Sequence, residues 1–76
     1  MKPDKQQIEF MQEDLCVELL EILMQDQHCS MQQALDLLYN SETFLQVRNP
    51  STGLYYQSAG YVYDYLQHEL QYGTLA

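Results

Sequence analysis

Positive charge is almost missing from this sequence: three Lys and Arg residues stand against eleven Asp and Glu, for a formal net charge of −8. Lys2 and Lys5 lie at the start, so Arg48 is the one cation from Gln6 onward. Phosphate backbones are held by clusters of Lys and Arg that release counterions, and anionic membrane surfaces attract the same residues. Neither nucleic acid nor membrane is an expected partner. Cysteine is also scarce. Cys16 and Cys29 do not form a CxxC pair, which removes a disulfide framework and leaves two reduced thiols in a cytosolic protein as the expected state; an intramolecular bridge stays open. Three glycines, at 53, 60 and 73, are too far apart for a phosphate-cradling loop. Apolar runs extend only a few residues, far short of a membrane span. No apolar segment backs Met1-Lys2-Pro3-Asp4-Lys5, so a secretory signal is not expected. These absences predict a cytoplasmic protein of one domain, residues 1–76, with 1–4 and 74–76 frayed.

What the chain does contain is helical pattern. From about 5 to 25 it is rich in Gln, Glu, Leu and Met, with no Gly or Pro. Ile8, Met11, Leu15, Leu19 and Ile22 recur at spacings of three and four, and Cys16, Leu20 and Leu23 widen that face. Phe10, Val17 and Met24 repeat every seven residues roughly opposite, and Asp14, Glu18 and Glu21 form the coherent polar strip. A helix of a small domain normally needs one apolar face. Two predict that this helix is central or shared with a second chain, which makes a homodimer the expected assembly.

Asp26-Gln27-His28-Cys29 breaks the pattern. Ser30 and Gln33 have the spacing of a capping box and open a helix over 31–39, with Asn40 placed for a left-handed terminal residue. Ser41 caps again for a short helix over 42–47. Asn49-Pro50-Ser51-Thr52-Gly53 is the strongest turn signal, and the aromatic segment 49–57 is expected to be extended. Ser58 starts a last helix to about 72, in which Val62, Leu66 and Leu70 recur every four residues. The expected fold is all-α, a compact bundle of three to four helices.

No constellation for chemistry emerges. Structural zinc uses spaced ligand pairs; His28 and Cys29 are adjacent, Cys16 is expected to face the core, and His68 is isolated. Nothing places a nucleophile beside a base and an orienting acid. The sequence therefore predicts no catalytic, cofactor or metal site, and a non-enzymatic protein. Six of the seven tyrosines fall in the last 22 residues. Tyrosine buries a large ring while keeping a polar tip and is favoured at interfaces. A core this small has no room for all of them, so Tyr55, Tyr56, Tyr61 and Tyr65 read either as core completion or as an aromatic interaction patch.

The segments Ile8-Glu9-Phe10, Ser30-Met31-Gln32-Gln33-Ala34-Leu35-Asp36-Leu37-Leu38, Gly53-Leu54-Tyr55-Tyr56-Gln57-Ser58 and Tyr63-Asp64-Tyr65-Leu66 together resemble a family of small uncharacterised bacterial helical proteins often encoded beside ADP-ribosyltransferase-like toxins. The resemblance covers about 6–70, through short motifs, and the sequence departs from it in the Asn49 to Thr52 turn and in its tyrosine content. It implies an antitoxin-like or accessory role toward a basic protein, with no catalytic residues to carry over. The expected function is an acidic protein–protein interaction module whose surface comprises Phe10, Val17, Met24, Asp14, Glu18, Glu21, Tyr55, Tyr56, Tyr61 and Tyr65. The alternative is a small metal- or ligand-binding protein using His28, Cys29 and the tyrosine-rich segment.

Overall fold

The computed structural model describes residues 3–73. Four helices are present among them: α1 (Lys5–Asp26), α2 (Met31–Tyr39), α3 (Glu42–Arg48) and α4 (Ala59–Tyr72). No strand occurs among the described residues. The all-α expectation and the helix limits are therefore observed to within a residue or two. The segment expected to be extended is instead coiled into two 3-10 turns, Pro50–Thr52 and Leu54–Tyr56. Gly53 joins them at φ 73°, a backbone sign that favours glycine, and the exposed Tyr56 ring lies over it, its hydroxyl 2.7 Å from where a Cβ would stand.

Local sequence explains the helix starts. Ser30 accepts from the Gln33 N–H while the Gln33 side chain accepts from the Ser30 N–H, completing the expected capping box. Asp4 and Gln7 form a second one at α1. Asp4 was expected to be frayed and is an N-cap; residues 1, 2 and 74–76 of the expected frayed ends lie outside the described residues. At the end of α1 the left-handed position falls on His28 (φ 50°), and the Cys29 N–H closes back onto the Met24 carbonyl at 3.3 Å. Asn40, expected to be left-handed, is not (φ −93°); its side chain donates to the Asp36 carbonyl instead.

Leu19, Leu23, Leu38, Val47, Val62 and Leu66 are fully buried, with Leu15, Leu20, Ala34, Ala59 and Tyr63 completing the core. Each fully buried leucine contributes about 2 kcal/mol in transfer free energy. Both α2 and α4 pack on α1, and α3 bridges to α4. With a rise of 1.5 Å per residue, α1 is about 33 Å long, nearly the 39 Å long axis of the molecule. The rest of so short a chain does not surround it, and one flank and the back of α1 remain open.

Candidate functional site

The position of α3 is fixed by hydrogen bonds rather than by its length, since a helix this short is unstable alone. Of its N-terminal donors, Ser41 N–H reaches the Leu38 carbonyl at 3.1 Å and Phe44 N–H reaches Ser41 Oγ at 3.0 Å. The Glu69 carboxylate of α4 takes the other two, Glu42 N–H at 2.6 Å and Thr43 N–H at 2.9 Å, and also accepts from the Thr43 hydroxyl. At the other end, buried Gln12 of α1 donates its amide to the carbonyls of Val47 and Arg48, both at 3.0 Å. The Asn49 N–H and the Thr52 hydroxyl serve the carbonyls of Leu45 and Gln46. All eight orphan groups that helix ends normally leave are thus satisfied.

This clamp sets α3 beside α1 with an open groove of about 1000 Å3 between them. Its α1 side carries Ile8, Cys16, Val17 and Leu20; Tyr39 and Phe44 stand on the opposite wall. Lys5 and Arg48, the two cations of the described residues, both line it, as do Glu9 and Glu13. The Arg48 guanidinium lies over the Phe44 ring at 5.6 Å, within cation–π range. Cys16, expected in the core, is half-buried at this groove. Burial pushes its thiol above the ordinary value, against the pull of Arg48 and with the help of Glu13, so the thiol is protonated and neutral near pH 7.

A second surface runs along α4. Tyr61, Tyr65, His68 and Tyr72 are spaced four, three and four residues apart, which puts them on one ridge. Tyr61, Tyr65 and Tyr72 are 47, 39 and 63 % exposed. Their rings meet in pairs: Tyr61 and Tyr65 are edge-to-face at 5.5 Å with hydroxyls 3.2 Å apart, and His68 and Tyr72 are tilted at 4.7 Å. The hydrogen bond shared with Tyr61 raises the Tyr65 phenol above its ordinary value.

The expected interaction residues divide between these surfaces and the core. Phe10 is 57 % exposed on the back of α1, and Val17, 55 % exposed, stands at the rim of the groove; Asp14, Glu18 and Glu21 are exposed on the same helix. Met24, expected to continue that stripe, is half-buried and packs against the core. Tyr55, expected in the aromatic patch, is buried, with Tyr56 set edge-on to it at 5.2 Å and exposed. Sequence reasoning missed His68 as a ridge member and the whole α1–α3 groove. The ridge was readable from the 4-3-4 spacing; the groove depends on pairings across 35 and 36 residues that no local pattern announces.

His28 and Cys29 are not gathered into a ligand set: His28 is exposed, and the Cys29 thiol points to the Leu23 carbonyl at 3.8 Å. Among the described residues no group of three or more His, Cys, Asp or Glu side chains is placed to hold a metal ion. Both cysteines are free thiols, and no described helix is long and apolar enough to cross a membrane. Comparison with protein-family models, with curated proteins and with solved structures finds no match. The class that remains is defined by architecture alone, a small all-α domain with an aromatic ridge and a mixed-charge groove.

Proposed function

We propose that this chain is a non-catalytic protein-interaction module that binds a basic protein surface through the tyrosine ridge of α4. The ridge itself carries the reading: three well-exposed tyrosines and a histidine, prearranged ring against ring, on an acidic chain whose α4 contains no Lys or Arg. Tyrosine rings on a fixed helix offer contact area at small entropic cost, and they attract Lys and Arg through their faces. The resemblance to proteins encoded beside ADP-ribosyltransferase-like toxins adds one class of partner, a basic toxin-like protein.

The test is retention of proteins from the native host on the immobilised chain at low salt, comparing wild type with Tyr61→Ser/Tyr65→Ser/Tyr72→Ser. A basic protein retained by the wild type and lost by the variant, with unchanged thermal melting of the variant, supports the reading. Equal retention by both removes it. Self-association is proposed for the exposed apolar positions Phe10 and Val17 on α1. Sedimentation showing a monomer at every concentration reached would eliminate the homodimer without touching the ridge.

A further inference from the structure

We propose that the groove between α1 and α3 binds a free long-chain carboxylate, with its head group on Arg48, opposite Gln12, and its alkyl chain running from Cys16 along Val17 and Leu20. Three observations carry this. The first is charge placement. The chain is strongly acidic, yet both cations of the described residues line this one groove. With Glu9 and Glu13 on the α1 rim, the lining is two positive and two negative, hence neutral, in a body of net −8. It is the one described surface with cations to receive an anion.

The second observation is shape. From Gln12, which meets Arg48, to Leu20 is eight residues of α1, about 12 Å along the helix, and the volume of about 1000 Å3 lies at the upper end for ligand clefts. An elongated apolar chain suits a groove of that form better than a compact ligand does. The third is rigidity of the head-group wall. Gln12 holds the carbonyls of Val47 and Arg48, which fixes the Arg48 backbone, and the guanidinium lies 5.6 Å from the centre of the Phe44 ring at the groove wall. The neutral Cys16 thiol leaves the apolar side uncharged, and Arg48, being exposed, keeps its donors open to a planar carboxylate.

Sign of charge gives a sharp test. An acidic protein that binds amphiphiles through bulk charge prefers cationic ones; a groove built around Arg48 prefers anionic ones against that bias. Dodecanoate and dodecyltrimethylammonium, both below micelle formation, would be titrated by calorimetry with amide spectra recorded in parallel. Expected is one dodecanoate per chain, with shifts at Cys16, Val17, Phe44 and Arg48. Arg48→Gln should weaken it by about tenfold, the loss of a charge-assisted contact. Glu9→Gln/Glu13→Gln should tighten it several-fold. Both variants change exposed side chains, so each should remain folded at the assay temperature, with its melting curve moved only by the change in net charge, down for Arg48→Gln and up for Glu9→Gln/Glu13→Gln. No saturable dodecanoate binding, stronger binding of the cationic amphiphile at the same amides, or an Arg48→Gln variant that binds as well as wild type would each overturn the proposal.

Discussion

His28 sits in the left-handed backbone region at φ 50°, where a side chain is disfavoured by about 1–2 kcal/mol relative to glycine-compatible geometry. Its place after α1, with the Cys29 N–H returning to the Met24 carbonyl, is the position helices usually give to glycine. His28→Gly should therefore stabilise the fold by about 0.5–1 kcal/mol, since relief of strain exceeds the added freedom of the unfolded chain; chemical denaturation reads this directly, and a loss of stability would show that the imidazole makes a contact worth more than the strain. Tyr63 tells a different story at the same scale. Burial, reinforced by its 2.5 Å hydrogen bond to Asp26, pushes its phenol from 10.0 to about 12. The folded state holds this proton more tightly than the unfolded one, so the associated stability is complete below pH 10 and is lost as pH rises toward 12. Spectroscopic titration should find a late-ionising tyrosine that disappears in Tyr63→Phe, and the variant should lose about 1–2 kcal/mol of stability near neutral pH through the missing bond to a carboxylate.

Among the elements, α3 depends most on its neighbours. Its seven residues are held at one end by Glu69 and at the other by Gln12. Glu69→Ala should cost about 2–3 kcal/mol, because it strips a charged acceptor from two backbone donors and a hydroxyl. Gln12→Leu should cost about 1–3 kcal/mol by leaving two carbonyls without their donor. Urea unfolding monitored by far-ultraviolet dichroism checks both, and a change within a few tenths of a kcal/mol would mean that water replaces the clamp. The same helix shows where sequence stops being informative. Its start was legible in Ser41, and α2 was legible in Ser30 and Gln33, because capping partners lie three residues apart. Asp4 and Gln7 have the same spacing, yet residues 1–4 were expected to be frayed. No local spacing marks Glu69 or Gln12 as a partner of α3. Their targets lie 26 to 36 residues away, and that separation hid both the clamp and the groove beside it. Leu54-Tyr55-Tyr56 misled for the opposite reason: aromatic residues favour strands, but Tyr55 meets the core from a 3-10 turn.

For the whole molecule the dominant quantity is the net charge of −8. Self-repulsion of that size opposes the compact state and is screened by salt, so the melting temperature should rise between low and moderate sodium chloride. Binding of a basic partner at the α4 ridge should weaken over the same range, while self-association through α1 should strengthen, because it brings like charges together. Parallel scanning calorimetry and sedimentation separate the two associations by the sign of their salt response. The clamp on α3 also bears on the order in which the chain takes shape during synthesis. Glu69 is made after every group it serves, so α1 and α2 can pair while α3 still lacks acceptors for two of its first amides. A chain stopped at Gln57 should accordingly protect amides in α1 and α2 from hydrogen exchange but not those of α3; protection of α3 in that fragment would deny α4 its part. On that footing the fourth helix is more than one wall of the bundle: it brings the acceptors that the start of α3 cannot find in its own neighbourhood.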